Sequence, residues 1–404
     1  MKRHITDPRP NWQQLVEAQG LLFHTVEESV EEHSAGYRDA PHLETRSRTR
    51  AYWSEDAYYA FDGAEVDSIE AATNALQAMC LQAAQHVIDE GLYGRLGIPE
   101  AAIPLIETSW NEEVPAVYGR MDLAYVEGQP PRLLEYNADT PTSLLEAAVI
   151  QWTWLEGRMK GADQFNSIHE RLVAKWKELR SFLHGGGLLH APRVHFAHLP
   201  NVEDAMTIAY LQDTAHQAGL RTEALPMRDI RWHEGKERFC DAEDRPIDNL
   251  FKLYPWEWLL ADEFGQHVPR AKETFWMEPA WKMLLSNKGI LAVLWELFPD
   301  HPNLLEARVD EGGEVATGWV KKPLLSREGA NVLVVTNEGV RQETGGPYTG
   351  PSIVQRFVDI PEVGGYRPVL GSWVIDGEAA GMGIRETPGY VTDNTARFVP
   401  HVLR

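Results

Sequence analysis

The chemistry available to this sequence starts from two polar pairs at two-residue spacing, Arg120-x-Asp122 and Glu135-x-Asn137. Each pair lies in a short extended run, where residues i and i+2 project from the same face of a strand. If the two runs pair as a hairpin across residues 127–131, three oxygen ligands meet beside one arginine. Carboxylate and amide oxygens suit Mg²⁺, and arginine suits phosphate. A polar hairpin at a sheet edge is the alternative that this stretch alone leaves open.

Two lysines and a glycine-bearing loop extend this set further along the chain. Lys288 precedes an apolar helix, Lys322 lies on a strand predicted at 317–323, and Gly329 lies in the polar loop 326–331. Lysines neutralise phosphate oxygens, such a loop donates backbone N–H groups, and Mg²⁺ bridges phosphates to carboxylates. The set would suffice to hold a triphosphate, although the Walker loop and the protein-kinase signatures are absent. Solvated surface lysines are the alternative for both positions.

Two helices are predicted on either side of the hairpin. Residues 65–90 repeat apolar side chains every three to four positions and stop at Gly91, which is typical of an amphipathic helix. A second helix is predicted from Thr140 to Gly157, because a hydroxyl residue followed by proline is a common helix start. Its N-terminus would direct backbone N–H groups and the positive end of its dipole towards the proposed site.

The remaining stretches predict further scaffold. A helix is predicted at 162–182 and a strand-helix-strand unit at 193–230. The aromatic tract 248–279 is predicted as helices and turns packed into the core. The polar stretch 27–50 is dense in charge and lacks periodicity, and it is predicted as a mobile insertion or a long surface loop.

The last third of the chain predicts strands. Evenly spaced strands between residues 317 and 360, joined by glycine-bearing turns, predict a small antiparallel sheet. The Asp376-Gly377 dipeptide lies between β-forming runs and predicts a hairpin. Its return strand carries Arg385.

Composition narrows the class of protein. The 404 residues carry a net charge of −22, which argues against a nucleic-acid partner, since phosphate backbones require a basic footprint. The charge favours cationic partners such as amines or polyamines, and solubility is the alternative explanation. No apolar run approaches a membrane span and no signal peptide is evident. Two isolated cysteines, Cys80 and Cys240, indicate a reducing cytoplasm, and Cys80 beside an apolar stripe is predicted as a core residue.

Nine short motifs, taken in order along nearly the whole chain, resemble the synthetase domain of glutathionylspermidine synthase and its stand-alone bacterial relatives, the acid–amine ligases. The motifs are FHT at 23–25, YW-x-E-x-AYY at 52–59, GRMD at 119–122, LEYNADTPTSLLE at 134–146, SNKG at 286–289, VKKPLLSREGANV at 320–332, QRFV at 355–358, GSWVIDG at 371–377 and GMGIRE at 381–386. The resemblance implies an α+β, ATP-grasp-like fold with mixed and antiparallel sheets and flanking helices. It also implies ATP and two Mg²⁺ ions as cofactors.

The resemblance further assigns roles by motif match. A peptide-like or amino-acid carboxylate and a small amine or polyamine would be the substrates, joined through an acyl phosphate made from ATP. Arg120 and Arg385 would stabilise phosphate, and Asp122, Glu135 and Asn137 would bind Mg²⁺. Lys288 and Lys322 would bind the nucleotide, and the loop of Gly329 would close over its phosphates. Gln355 would lie on the strand that reaches adenine. The amidase domain of the bifunctional synthases is not expected here, because neither cysteine is placed for that role.

We expect three parts in the folded chain. They are a main lobe of residues 1–188 and 360–404, a βαβ-like subdomain of 189–275, and an ATP-grasp lid of 276–359. Two other functions stay open from the sequence: a non-catalytic nucleotide-binding or assembly protein with the same fold, and phosphorylation of a carboxylate or hydroxyl without an amine acceptor.

Overall fold

The computed structural model describes residues 1–33, 43–185 and 191–404. A five-stranded antiparallel sheet carries the predicted polar hairpin at one edge. Its strands are, in spatial order, Arg397–Val399, Glu378–Thr387, Arg367–Ile375, Tyr118–Ala124 and Arg132–Asn137. Both residues of the Asp376-Gly377 turn have positive φ, 54° and 75°, as a tight hairpin turn requires. The hairpin predicted at this dipeptide is confirmed.

A four-stranded parallel sheet contains the predicted strand-helix-strand unit. Its strands are, in spatial order, Phe275–Met277, Asn249–Leu253, Arg193–His198 and Arg221–Pro226. The prediction of helices and turns throughout the aromatic tract is wrong for Asn249–Leu253, because all five residues form a buried strand inside this sheet. A strand buried on both faces is a continuous apolar run, so its side chains carry no period that separates it from a helix.

A second five-stranded antiparallel sheet confirms the small sheet predicted near residue 320. Its strands are, in spatial order, Ala307–Val309, Ser352–Arg356, Trp319–Pro323, Leu333–Val335 and Arg341–Glu343. Lys322 pairs in register with Ile353 on the neighbouring strand. Shorter strands complete the fold: Lys2–Ile5, Ala57–Phe61 and His401–Leu403 form one sheet, and Arg231–His233 pairs with Arg238–Cys240.

The helices cover the sheets. The α-helices are Trp12–Glu17, Gly63–Asp89, Ile103–Asn111, Gln151–Arg158, Ile168–Leu179, Val202–Gln217, Trp256–Ala261, Lys282–Ser286 and Ile290–Leu297, and the 3₁₀ turns are Leu92–Leu96, Glu100–Ala102, Met227–Asp229, Glu234–Lys236 and Val268–Arg270. The long amphipathic helix is confirmed, and Asp62 caps it by accepting a bond from the Glu65 backbone. Cys80 is fully buried in that helix, and burial raises the pKa of its thiol to about 12, as fits a core residue. This mixture of helices and sheets confirms the α+β class.

The helix predicted from Thr140 begins later than expected. Helical backbone starts at residue 144, a π-helical stretch covers Glu146–Ile150, and Gln151–Arg158 is α-helical. Ser143 has a φ of 66°, in the left-handed region, so the chain cannot wind into a helix before it. The proline start signal was therefore wrong, and no helix N-terminus directly follows Asn137. The helix predicted at 162–182 is also shorter, Ile168–Leu179.

The polar stretch 27–50 was wrongly predicted to lack regular structure. Strands Thr25–His33 and Leu43–Ala51 pair antiparallel, and residues 34–42 lie outside the described ranges. The first strand is rich in glutamate and the second in arginine, and the register sets Glu28 opposite Arg48. Opposite charges on paired strands favour a hairpin, and this signal is independent of apolar periodicity.

The division of the chain into 1–188 with 360–404, 189–275 and 276–359 stays a prediction. The first antiparallel sheet takes its strands from the first of these parts, the parallel sheet from the second and the other antiparallel sheet from the third. The strand Phe275–Met277 belongs to the parallel sheet and crosses the predicted boundary at residue 275.

Candidate active site

The polar hairpin forms as predicted. The register sets Arg120 opposite Asn137 and Asp122 opposite Glu135, so all four residues meet on neighbouring strands. The Asn137 amide nitrogen lies 3.4 Å from Asp122 Oδ2 and 3.3 Å from Glu135 Oε1. The three oxygen-bearing side chains are thus close enough to share one small ion.

A β-bulge opens the hairpin next to these residues. The register shifts after Asp122, which leaves Leu134 without an opposite partner. The Leu134 carbonyl accepts a bond from Lys322 Nζ at 3.0 Å, and the Leu133 carbonyl accepts one from Gln355 Nε2 at 3.0 Å. Bulges recur beside active sites because they free backbone groups and redirect side chains. Here the bulge joins the edge of one sheet to the strands of another.

Arg120 is buried and held on both sides. Its Nε donates to Asp122 Oδ1 at 2.7 Å, and Nη1 donates to the Thr142 carbonyl at 2.6 Å. Gly371 on the neighbouring strand leaves room for it, because a Cβ there would lie 2.8 Å from Arg120 Cδ. The guanidinium is therefore fixed in place by the protein itself, as stabilisation of developing charge requires.

The second arginine reaches the same carboxylate from the predicted return strand. Arg385 Nη2 donates to Asp122 Oδ2 at 3.0 Å. Two arginines therefore hold one buried carboxylate.

Both lysines of the candidate set are buried beside the hairpin. Lys288 Nζ lies 3.1 Å from Glu135 Oε2 and donates to the Ser326 carbonyl at 2.5 Å. Lys322 Nζ donates to Gln355 Oε1 at 2.8 Å. Each lysine is 8% exposed, so the solvated alternative is wrong for both.

These lysines and their surroundings shift each other's proton affinities. Burial would raise the pKa of Glu135, but Lys288 and Lys322 outweigh it and lower that pKa to about 2. Burial lowers the pKa of Lys322 to about 8, against the opposing attraction of Glu135. Glu135 is therefore ionised across the physiological range, whereas Lys322 begins to lose its proton just above neutral pH.

The loop 326–331 is a turn, as predicted, and it closes against the cleft. Gly329 has a φ of 68°, and a Cβ there would lie 2.7 Å from Val391 Cγ1, so only glycine fits without strain. Arg327 Nη1 donates to Thr140 Oγ1 and Nη2 donates to Glu257 Oε1, both at 2.7 Å. Arg327 escaped the sequence prediction, although it lies inside the quoted SREG motif and ties the loop to the opposite wall.

These residues surround one cleft of about 760 Å³, which we call the nucleotide cleft. Its polar end carries the two lysines with Asp122 and Glu135, and Gly329 and Gln355 also line it. The other end is apolar, lined by Val320, Val334, Phe357, Ile360, Val369 and Tyr390. A charged end joined to an apolar slot is the shape that a nucleotide requires. The structure brings all nine predicted site residues together at or beside this cleft, and their individual roles stay predictions.

A second cavity of about 770 Å³ adjoins the cleft at Arg385, and we call it the acidic pocket. Four of its lining residues are carboxylates: Glu146, Glu203, Glu328 and Asp393. The sequence prediction missed all four, because they are distant in sequence. One signal was present, since Glu146 closes the LEYNADTPTSLLE motif and His24 and Tyr52 of two further motifs line the same pocket.

Asp139, two residues after Asn137, has a structural role. It is fully buried and pairs with Lys252 Nζ at 2.6 Å, and it accepts a bond from the Trp256 backbone at 3.0 Å. This pair joins the segment after the hairpin to the parallel sheet. It is a structural link between two parts of the fold.

The donor set of Asp122, Glu135 and Asn137 fits Mg²⁺. Hard divalent cations take carboxylate and amide oxygens. The Asn137 side chain would present its oxygen to the ion once its amide group rotated by half a turn, because an amide carries an acceptor oxygen opposite its donor nitrogen. These three residues are therefore the candidate Mg²⁺ ligands.

The chain matches one family of known proteins along nearly its whole length. A family described as "Glutathionylspermidine synthase preATP-grasp" matches residues 3–404. The chain belongs to this family. The "Putative acid--amine ligase" of Haemophilus influenzae is 43% identical over 366 residues, covering 87% of this chain and 90% of that protein.

More distant relatives of the family are larger. The bifunctional glutathionylspermidine synthetase/amidase of Escherichia coli is 27% identical, and the match covers 87% of this chain and 60% of that protein. The trypanothione synthetase of Crithidia fasciculata is also 27% identical, with 51% of its length covered. The chain thus spans about half to three fifths of these two relatives.

A solved structure supports the fold alone. A glutathione synthetase-like effector from Globodera pallida superposes with a TM-score of 0.52 at 9% identity, covering 86% of this chain and 89% of that one. Together with the family match, this confirms the ATP-grasp-like fold that the motifs implied. Within the described ranges, none of the helices is both long and apolar enough to cross a membrane.

Proposed function

We propose that this family member is an ATP-dependent carboxylate–amine ligase that works through an acyl phosphate. The observation that carries the proposal is the junction of two unlike cavities at Arg385. That arginine lines the acidic pocket and donates to Asp122 at the polar end of the nucleotide cleft. A phosphoryl group delivered from one cavity would meet a nucleophile held in the other.

The nucleotide cleft suits ATP. Lys288 and Lys322 would neutralise phosphate oxygens, and the apolar end would hold the base. Gln355 bridges Lys322 to the Leu133 carbonyl and so holds that lysine towards the cleft. The loop of Gly329 would exclude water from the cleft. This exclusion would protect an acyl phosphate from hydrolysis.

Asp122, Glu135 and Asn137 would hold Mg²⁺, and we propose two ions as in other phosphoryl-transfer sites that use paired metals. When bound, the metal neutralises phosphate charge and aligns the γ-phosphoryl group. Arg120 is fixed against Asp122 and would stabilise the charge that spreads over the phosphoryl oxygens in the transition state.

The reaction has two displacements. A carboxylate oxygen of the acid substrate attacks the γ-phosphorus of ATP, the bond to the β-phosphate oxygen breaks, and ADP leaves. The amine nitrogen then attacks the acyl carbon, and the C–O bond to the phosphoryl group breaks to release phosphate. Arg385 stands between the cavities where the acyl phosphate would form.

The acidic pocket supports an amine as the second substrate. Its four carboxylates attract cations. A further cavity shares Thr142, Glu203 and Glu328 with it and is also lined by Arg327, a cation that could pair with a peptide-like or amino-acid carboxylate. Relatives named for glutathionylspermidine and trypanothione synthesis support substrates of these classes. Both cysteines are free and buried, and we propose that the protein acts on small molecules in the cytoplasm. Because the net charge is −22, we propose no nucleic-acid partner.

The test is a substrate panel. Purified protein is incubated with ATP, Mg²⁺ and pools of carboxylates and amines, and ADP release and product mass are measured. We expect ADP release that depends on both substrates and a product lighter by one water than their sum. Lys288→Met, which removes a cleft cation, is the matched inactive variant. A phosphorylated product without amine would indicate the acceptor-free reaction, and nucleotide binding without turnover would indicate an assembly protein.

A further inference from the structure

Glu146 is the carboxylate of the acidic pocket that differs most from the others. It is 8% exposed, whereas the Glu203 side chain is 69% exposed. It is also the first residue of the π-helical stretch Glu146–Ile150. Such stretches are uncommon and recur at functional sites, because the wider turn redirects a side chain.

The groups that face Glu146 come from four parts of the chain. The Tyr52 hydroxyl lies beside Glu146 in the pocket and is 2.9 Å from Ser143 Oγ. His24 and Glu203 add opposite electrostatic influences, and Arg385 lines the same pocket. Within the described ranges no lysine or arginine forms an ion pair with Glu146. A buried carboxylate that faces a hydroxyl and has no fixed cation beside it is placed to receive a cation or a proton.

We propose that Glu146 accepts the proton that the amine substrate must lose before it attacks the acyl phosphate, a role that rests on the proposed function. An alkylammonium ion has no lone pair on nitrogen and cannot act as a nucleophile. A proton acceptor at the amine site is therefore a requirement of this chemistry.

Two protons leave the ammonium nitrogen as the amide bond forms. The ammonium nitrogen gives one proton to the Glu146 carboxylate. The lone pair that this frees bonds to the acyl carbon, and the C–O bond to the phosphoryl group breaks with its electron pair on the phosphate oxygen. The second N–H proton passes to the departing phosphate. The products are the amide and hydrogen phosphate, and Glu146 releases its proton to solvent.

The other carboxylates suit this role less well. Asp393 Oδ1 already accepts bonds from the backbone and hydroxyl of Thr395, at 2.8 and 2.6 Å. Glu328 accepts a bond from Asn394 at 2.5 Å. Glu203 is largely solvated. Burial raises the pKa of Glu146, which brings a carboxylate nearer to the working pH and makes it a better base.

Hydroxylamine separates this role from binding and folding. It is uncharged at neutral pH, so it attacks an acyl phosphate without a proton acceptor for its ammonium form. Glu146→Gln keeps the size and hydrogen-bonding capacity of the side chain but removes the base. Two rates are compared in each variant: ATP-dependent hydroxamate formation, and amide formation with the amine that the substrate panel incorporates. Glu156→Gln, an exposed glutamate on the following helix, is the matched control.

We expect Glu146→Gln to lose amide formation by about 10²-fold or more while hydroxamate formation stays within about threefold of the parent. Amide formation at high pH, where more of the amine is already neutral, should recover part of that loss. Retained amide formation, or a parallel loss of both rates, would overturn the role of Glu146. If the parent protein itself forms no hydroxamate, the proposed function fails first, and the two failures are thereby distinguished.

Discussion

The nucleotide cleft and the acidic pocket treat their carboxylates in opposite ways. At the polar end of the cleft, Asp122 is held by two arginines and Glu135 by a lysine. In the acidic pocket, Glu146 lies beside the Tyr52 hydroxyl, and Glu203 lies 3.9 Å from His24. The first region has its cations built in, whereas the second leaves negative charge for a ligand to balance.

This difference explains how one protein could bind an anion in one cavity and a cation in the cavity beside it. Fixed cations in a water-poor site are already oriented for phosphate, so no reorganisation is needed when charge develops. An excess of carboxylates selects an amine by attraction. Arg385, which contacts Asp122 and lines the acidic pocket, marks the boundary between the two. If the two regions act separately, a substitution in one should leave the function of the other unchanged.

The largest effect is expected from removing a built-in cation. Arg120→Ala should lower kcat by about 10³-fold, because a preorganised arginine stabilises the phosphoryl-transfer transition state. Asp122 keeps Arg385, so the fold should survive. Arg341→Ala is the control, since that exposed arginine has the same spacing to its carboxylate, Glu343. Steady-state kinetics and circular dichroism check both, and unchanged turnover in Arg120→Ala would remove Arg120 from the mechanism.

The next effect concerns magnesium. Glu135→Gln should raise the Mg²⁺ concentration for half-maximal activity by at least about tenfold, the loss that even an outer-shell partner of a metal ligand causes. The KM for the amine should stay unchanged if the two regions act separately. A Mg²⁺ titration at saturating ATP measures this, with Glu343→Gln as the control. An unaltered titration would mean that Glu135 serves Lys288 alone.

The sequence could predict the cleft much better than the pocket, and the reason is local spacing. Arg120, Asp122, Glu135 and Asn137 follow from period two and a hairpin, and motif order adds the two lysines and Arg385. The acidic pocket is built from residues more than a hundred positions apart, such as His24 and Glu203, so no pattern within a window reveals it. The helix starts late because the backbone at Ser143 is left-handed. The Thr140-Pro141 pair, on which the predicted start depended, gives no information about the backbone at Ser143.

The pH dependence of ATP binding tests whether the cations of the cleft are truly fixed. Lys322 has a pKa lowered by burial to about 8, whereas an exposed lysine titrates near 10.4. Its protonated form attracts phosphate, so affinity is full below that value and falls as pH rises through it. Between pH 7 and pH 9 the charged fraction of Lys322 drops by about tenfold, and we expect a comparable rise in the Kd for ATP. Calorimetry measures this, and Lys322→Arg should flatten the profile because arginine stays charged. A flat profile in the parent protein would mean that Lys322 does not contact phosphate.

The smallest effect is expected at the solvated edge of the acidic pocket. Glu203 is 69% exposed in its side chain, so its attraction for a bound ammonium group is screened by water. Glu203→Gln should raise the KM for the amine by about twofold and leave kcat unchanged. A twofold change lies within the range of interaction free energies of exposed ion pairs. Added salt should erase the difference, because ions screen exposed charges over about 10 Å at 0.1 M. A fall in kcat at constant KM would assign Glu203 to the chemistry, and identical kinetics at low salt would remove this pocket as the amine site. The contrast with Glu146→Gln then decides whether burial separates a proton acceptor from an electrostatic guide within one pocket.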